Sequence, residues 1–282
     1  MQLVAASKMK VFQRKSVSVR AYTLRLLESL RLCGASLPET PWAQERKEGK
    51  VLFVLLTSDK GLCGAMNGKL IRTLGRSEEW KGLSNDQREL VAVGKKSMEA
   101  ARTEGVEPIA TFPGLQEELT PLEALKVIDV ILTRWLSGEV KRVVLIAPEY
   151  VNPFVFEVHT RTYLPLTTDL ALERLHGELK ERDDLAPEAA LFEPSQEEAV
   201  ARIAEQVVQS LFTEAFYELK ATEYSSRMVA MKKATEAADD RIKQLTNVYN
   251  KARQGAITQE LSELAAANEA MSSQDVYEIT QV

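Results

Sequence analysis

The last third of the chain contains almost no residue that breaks a helix. All ten prolines of the 282-residue sequence lie between Pro38 and Pro194, and the 88 residues after Pro194 contain a single glycine, Gly255. Proline lacks the amide hydrogen that a helix interior needs, and glycine costs about 1 kcal/mol there relative to alanine. We therefore predict one helix over residues 195–272, far longer than the helices of most globular proteins, and a tail at 273–282.

A second helix is predicted over residues 1–32, and both predicted helices carry an apolar seam spaced by four and three residues. This period is typical of left-handed coiled coils, and the mixture of alanines with large side chains favours close, irregular contact over a leucine-zipper dimer. We expect the two terminal helices to pair with each other, antiparallel. The seam of the long helix is Tyr224, Met228, Met231, Thr235, Ala238, Ile242, Leu245, Tyr249, Ala252 and Ala256, and that of the first helix is Phe12, Val19, Tyr22, Leu26 and Leu30.

The middle of the chain, residues 50–165, has the pattern of an α/β domain. Uniformly apolar strands separated by helices indicate a parallel sheet covered on both faces, here a Rossmann-like domain inserted between the two terminal helices. The alternating segment at 154–163 is predicted to be an edge strand, and residues 166–194 a linker that returns to the long helix. The predicted strands lie at 51–57, 90–93 and 143–147, and the predicted helices near 65–76, 95–104 and 121–136.

Charge differs between the helical ends and the rest of the chain. Residues 1–31 and 220–253 together hold 15 Lys and Arg against 5 Asp and Glu, a net charge of +10, whereas the remainder holds 21 against 36, a net charge of −15. Solvation of a long helix is one explanation. A nucleic-acid partner is not expected, because aromatic side chains do not alternate with the cations and no base-reading motif follows. An acidic protein surface is the favoured partner.

Composition excludes several classes of protein. No run approaches 18 uncharged apolar residues, so no segment is predicted to span a membrane. The two cysteines, Cys33 and Cys63, are too few for a disulfide framework or a multi-cysteine zinc site, and they fit a reducing, cytoplasmic setting. The first residues, MQLVAASKMK, do not have the pattern of a secretory signal.

The loop after the first predicted strand, TSDKGLCGAMNGKL, does not match the nucleotide-binding templates. A P-loop needs four residues between its glycines, whereas three separate Gly64 from Gly68, and only the last pair of the GxGxxG pattern is present, at Gly61 and Gly64. These two glycines instead predict a tight turn from strand to helix. His159 and His176 are isolated from other metal ligands in the sequence. We therefore expect no catalytic residue, no cofactor and no metal ion in this chain.

Three parts of the chain carry a more specific pattern. They are MQLVAASKM at 1–9, TSDKGLCGAMN at 57–67, and the paired segments RMVAMKKAT at 227–235 and YNKARQGAITQE at 249–260. In order, spacing and inserted α/β domain, they make residues 1 to about 268 resemble the gamma subunit of bacterial F-type ATP synthases. Because that family's first helix begins well before the position of Met1, the longer helix would extend beyond its partner. Either the start codon is misplaced, which we favour, or the end of the shaft is a single helix.

The resemblance implies the central rotor subunit of a proton-translocating ATP synthase, without a catalytic site of its own. In that family the terminal helices enter a ring of alpha and beta subunits, and the α/β domain lies with the epsilon subunit on the c-subunit ring. Such a chain is peripheral, at the cytoplasmic face of the bacterial plasma membrane, which it meets only through the c ring. The residues that match family contacts to beta or alpha are Met1, Arg227, Arg253, Gln254, Thr258 and Glu260.

Two other interpretations remain open. The chain could be an α/β enzyme that binds a nucleotide or RNA and uses its coiled coil as an arm; stoichiometric binding of either ligand by the isolated chain would favour this. It could also be a static coiled-coil adaptor, which would bind a ring of partners without being required for coupled turnover.

Overall fold

The chain divides into two units, Met1–Met231 and Lys232–Val282. The computed structural model of the protein describes residues 1–32, 37, 40–167, 193 and 195–279. The predictions on Cys33, on His176 and on most of the linker at 166–194 concern residues outside these ranges.

A five-stranded sheet with strand order β3-β2-β1-β4-β5 forms the centre of the first unit. The first four strands in the chain run parallel, and β5 pairs antiparallel with β4. Residues 51–56 of β1 are all buried, and because neighbouring side chains point to opposite faces, both faces of the sheet are covered. The strands are β1 (Lys50–Leu56), β2 (Arg88–Val93), β3 (Ala110–Phe112), β4 (Val140–Asn152) and β5 (Val155–Leu164).

The predicted parallel strands and the predicted edge strand are therefore confirmed, and β3 is an addition. β3 has only three residues, too few to carry a periodic signal in the sequence. Its neighbour in the sheet is β2, which it joins through residues 91–93.

Helices that follow the strands complete the α/β domain. The clearest local signal is at the start of α5, where Thr120 and Glu123 form a reciprocal capping box and Pro121 occupies the first helical turn. At the other end of α5, the fully buried Trp135 donates its indole N–H to the carbonyl of Pro41 over 2.8 Å. The helices are α2 (Met66–Arg76), α3 (Glu78–Gly82), α4 (Lys95–Thr103) and α5 (Pro121–Leu136).

The terminal helices α1 (Gln2–Leu32) and α6 (Gln196–Ile279) pair antiparallel within the first unit, as predicted. Lys8 of α1 meets Tyr224 of α6, whereas the hydroxyl of Tyr22, further along α1, lies 3.4 Å from the Gln206 side chain. α6 is also tied to the sheet, because the Tyr163 hydroxyl of β5 donates to a carbonyl of α6 over 2.6 Å.

The register of α1 differs from the predicted seam at one position. Tyr22 is 52% exposed, whereas Thr23 is buried. Thr23 has a hydroxyl that donates to the Val19 carbonyl over 3.0 Å, so this polar side chain is satisfied inside the seam. The positions that face the core, spaced by four and three residues, are Ala5, Met9, Phe12, Ser16, Val19, Thr23, Leu26 and Leu30.

The long seam is covered within the first unit, as predicted, whereas its positions beyond Met231 are exposed. α1 packs against the part of α6 that lies in the first unit, where a separate apolar face includes Val207, Leu211 and Phe212. Seam positions from Thr235 to Ala256 lie in the second unit, and there they are exposed. The sequence pattern is continuous across both parts, so it does not show where an internal partner stops and an external one begins. α6 itself runs past its predicted end at 272 to Ile279.

Candidate partner-binding surface

The glycine-rich turn between β1 and α2 is built from its own polar side chains. Asn67 accepts a hydrogen bond from the Ser58 amide over 3.1 Å and donates to the Ser58 hydroxyl over 2.8 Å. Gly64 has a φ of +58°, a conformation that favours glycine. Cys63 is buried, and its sulfur accepts a 3.1 Å hydrogen bond from the Asn67 amide. The strand-to-helix connection is confirmed, but it takes the nine residues 57–65, and its positive φ values are at Gly64 and Leu62 and not at Gly61, so it is longer than the predicted tight turn.

Arg227 joins this turn to α6. Its guanidinium donates to the Gly61 carbonyl over 3.2 Å and to the Glu223 carboxylate over 2.7 Å, and it lies 5.2 Å from the centre of the Tyr224 ring. The side chain is only 12% exposed. Two segments that are far apart in the sequence, 57–67 and 227–235, therefore meet at Arg227, which sequence spacing could not show.

Met1 lies at the exposed end of α1. Its side chain is 85% exposed, and the neighbouring Leu3 and Val4 are exposed as well. A cluster of exposed apolar side chains at one helix end is a typical feature of a contact surface.

The other predicted contact residues, Arg253, Gln254, Thr258 and Glu260, lie in the second unit and are all exposed. The Thr258 hydroxyl donates to the backbone carbonyl of Gln254 over 2.8 Å. Helix geometry aligns Gln254 and Thr258 on one line of α6, and Arg253 and Glu260 two turns apart on the neighbouring line. The structure thus pairs Gln254 with Thr258, places Arg253 and Glu260 on a different side of the same helix segment, and leaves Met1 and Arg227 in the first unit.

Large apolar side chains are exposed along the same part of α6, and we call them the apolar stripe. Soluble monomers rarely expose so many large apolar groups on one element unless a partner covers them. Ile257, Leu261 and Leu264 were absent from the predicted seam. They are again spaced by four and three residues, but one position after the register of Ala256. The stripe consists of Ile242, Leu245, Val248, Tyr249, Ile257, Leu261 and Leu264, each between 45% and 68% exposed.

In the part of the chain that the structure describes, no group of three or more His, Cys, Asp and Glu side chains is placed to hold a metal ion. None of the described helices is both long enough and apolar enough to cross a membrane.

Comparison with known proteins identifies the family. The sequence model of the ATP synthase family matches residues 1–271. The ATP synthase gamma chain of Cytophaga hutchinsonii is 30% identical over 279 residues, which cover 97% of this chain and 92% of the relative. The chain belongs to the ATP synthase gamma-chain family. The gamma chain of Chlorobaculum tepidum is similar to the same extent, at 32% identity over 96% of this chain and 91% of the relative.

Solved structures agree on the fold. A chain of the Euglena gracilis mitochondrial ATP synthase superposes with a TM-score of 0.60 at 19% identity, covering 97% of this chain and 95% of that one. A chain from the central stalk and c-ring structure of the Tetrahymena thermophila enzyme gives 0.58 at 22% identity, covering 83% and 97%. The predicted family and fold class are confirmed, and as a gamma chain the protein is the central-stalk rotor subunit of an F-type ATP synthase.

Proposed function

We propose that the chain couples rotation of a c-subunit ring to the conformational cycle of catalytic beta subunits, and that it supplies no catalytic group itself. The observation that carries this proposal is the apolar stripe. It lies on the segment of α6 from Lys232 to Glu269, in which every residue of this chain is exposed. A helix segment without tertiary contacts is only marginally stable in water, so this surface requires partners.

The alpha and beta subunits are the proposed partners of that surface. Cations of the same segment, such as Lys233 and Lys251, are exposed and would face acidic partner loops. Exposed ion pairs contribute only about 0–1 kcal/mol each, so they would steer the helix without locking it in one orientation. Coupling then requires that the asymmetric surface contacts the three beta subunits differently, which biases each toward a different state.

Arg253, Gln254, Thr258 and Glu260 are proposed as the polar contacts of this surface, with Met1 as a contact at the end of α1. Arg227 belongs to the same proposed set of contact residues. Its guanidinium also donates to the Gly61 carbonyl and so connects α6 to the loop between β1 and α2. The α/β domain is proposed to bind the epsilon subunit and the c ring. This would place the chain at the cytoplasmic face of a bacterial plasma membrane, as a peripheral subunit.

Co-expression with the cognate alpha and beta subunits tests the proposal. Purification on a beta tag is expected to yield three alpha, three beta and one copy of this chain, with ATP hydrolysis. In Gln254→Leu and Thr258→Val, the hydrolysis rate should fall on the order of tenfold or more, since each change leaves polar groups of the partner unpaired.

Matched controls lie on the same helix. Gln244→Leu makes the same change as Gln254→Leu at an exposed position, and Thr246→Val removes the same type of hydroxyl-to-carbonyl hydrogen bond as Thr258→Val. Both controls should retain hydrolysis near the unsubstituted level. Failure of the chain to co-purify, together with stoichiometric nucleotide or RNA binding by the isolated chain, would instead support the enzyme interpretation.

A further inference from the structure

Glu117 occupies a junction of three elements. It lies in the loop between β3 and α5, and its two carboxylate oxygens accept from different helices: Oε2 from the Lys8 ammonium of α1, and Oε1 from the Tyr224 hydroxyl of α6. The Lys8 nitrogen is also 3.4 Å from the Tyr224 hydroxyl, so the three groups form a closed triangle. We call Glu117, Lys8 and Tyr224 the Glu117 junction.

The loop that carries Glu117 is fixed to the α/β domain at both ends. At its start, the Gly114 amide donates to the Asp59 carboxylate over 2.9 Å, and the same oxygen accepts from the Lys95 amide over 3.0 Å. At its end, Leu119 is buried and Thr120 caps α5. A displacement of the α/β domain is therefore transmitted to the Glu117 carboxylate.

Ring stacking fixes the orientation of Tyr224, the α6 residue whose hydroxyl donates to Glu117. Phe12 of α1 stacks on both Tyr217 and Tyr224 of α6, with ring centres 6.3 Å and 5.5 Å apart and planes inclined by 21° and 9°. This packing leaves the Tyr224 hydroxyl pointing at Glu117 with little freedom to rotate.

The carboxylate is charged under ordinary conditions. Partial burial favours its neutral form, but hydrogen bonds from Lys8 and Tyr224 and the positive charges of Lys8 and Lys220 hold the pKa of Glu117 below its usual range. Charge-assisted hydrogen bonds of this kind are shorter and stronger than neutral ones, and they are directional, whereas apolar packing is not.

We propose that Glu117 is a positioning residue that joins the α/β domain to both terminal helices, so that torque applied to the domain turns α1 and α6 together. The inference rests on the proposed function, in which the c ring acts on the α/β domain and the helices act on beta. Other ties described above, such as Tyr163 to α6, reach only one of the helices. Glu117 contacts both.

Glu117→Gln in the complete, vesicle-reconstituted ATP synthase is the test, with Glu118→Gln as the matched control. Glu118 is the next residue of the same loop and pairs with Lys15 of α1 over 3.0 Å, but its side chain is 71% exposed. Both variants lose one negative charge and one ion pair to α1. Only Glu117→Gln also weakens the bond to α6.

Three readouts separate coupling from folding. ATP hydrolysis by the alpha–beta–gamma complex alone, where the α/β domain carries no load, should be unchanged in both variants. Protons pumped per ATP hydrolysed by the complete enzyme should fall in Glu117→Gln and not in Glu118→Gln. Amide hydrogen exchange of residues 113–120 should become roughly tenfold faster in Glu117→Gln, the effect of losing one charged hydrogen bond.

Tyr224→Phe provides a second, milder variant, because it keeps the ring that stacks on Phe12 and removes only the hydroxyl. Its pumping ratio should lie between those of the unsubstituted enzyme and Glu117→Gln. The inference is overturned if Glu117→Gln and Tyr224→Phe both pump as Glu118→Gln does while the unsubstituted enzyme is coupled. If the unsubstituted chain itself neither assembles nor supports pumping, the proposed function fails instead. If Glu117→Gln does not assemble, Tyr224→Phe decides.

Discussion

Glu218 carries a carboxyl group on the buried face of α6, beside a small cavity lined by β4 and β5. Burial, followed by the nearby charges of Glu214 and Glu149, raises the pKa of Glu218 to about 8, and the cations Arg161 and Arg20 only partly oppose this. The folded protein therefore keeps Glu218 protonated at a pH at which the unfolded chain ionises it. Nothing in the spacing of these residues showed that they would face one another.

Replacement of Glu218 by Gln should change the pH dependence of stability. Between the usual pKa of 4.5 and about 8, the unfolded state releases the proton and the folded state retains it. The free energy of unfolding therefore falls as pH rises through this range, by up to about 1.4 kcal/mol for each pH unit, and levels off above it. Glu218→Gln removes this loss, so the variant gains stability relative to the unsubstituted chain as pH rises.

Urea unfolding followed by tryptophan fluorescence measures this effect, because Trp42, Trp80 and Trp135 all lie in the first unit. From about pH 5 to about pH 8.5, the urea midpoint of Glu218→Gln should rise relative to that of the unsubstituted chain. The exposed Glu205, changed to Gln on the same helix, should show the pH dependence of the unsubstituted chain. Parallel pH profiles for Glu218→Gln and the unsubstituted chain would contradict a raised pKa.

At the scale of single elements, the connection from β2 to α4 depends on a close approach to β1. Gly94 has a φ of +90°, and a Cβ added to it would lie 2.8 Å from the carbonyl carbon of Thr57. The Thr57 hydroxyl in turn accepts from the Ser97 amide in the first turn of α4 over 2.8 Å. The element boundaries were visible in the sequence, but this contact between backbones was not.

Gly94→Ala should therefore be much more harmful than an alanine at a glycine with open space. Gly105 is the matched control, because its φ is +65° but no atom lies within 4 Å of an added Cβ. The control should cost about 1–2 kcal/mol of stability from backbone strain alone. Gly94→Ala adds a collision and should cost about 3 kcal/mol or more. Equal urea midpoints for the two variants would show that the backbone at Thr57 moves away from the added Cβ without a loss of stability.

At the scale of the whole chain, α6 has two different environments. Its residues in the first unit, such as Phe212 and Phe216, are buried, whereas all residues from Lys232 to Glu269 are exposed. Helical propensity alone supports a helix only weakly, so the second part is expected to open far more often in the isolated chain than the first.

Hydrogen exchange on the isolated chain measures this difference. Amides of residues 235–269 should exchange about a hundredfold or more faster than those of residues 204–224 in the same helix. Assembly with alpha and beta should slow the fast group and leave the slow group unchanged. Equal protection of both groups in the isolated chain would show that the exposed segment does not need a partner for its stability.

Much of this fold follows from local patterns. The scarcity of helix breakers predicted α6, and apolar runs predicted β1, β2 and β4, because helices and strands have characteristic periods that depend on neighbouring residues. The motifs at 57–67 and 249–260 predicted the family. The positions of Gln254 and Thr258 on one side of α6 also follow directly from the sequence, because residues four apart are neighbours on a helix surface.

Contacts between distant segments could not be predicted in this way, because they depend on how the elements pack. The register that buries Thr23 and exposes Tyr22, the hydrogen bond from Arg227 to Gly61, and the junction at Glu117 all join residues of different elements. The same holds for the point at which α6 passes from a covered to an exposed environment. A seam in the sequence shows that a helix has a partner, whereas only the packed chain shows whether that partner is α1 or another subunit.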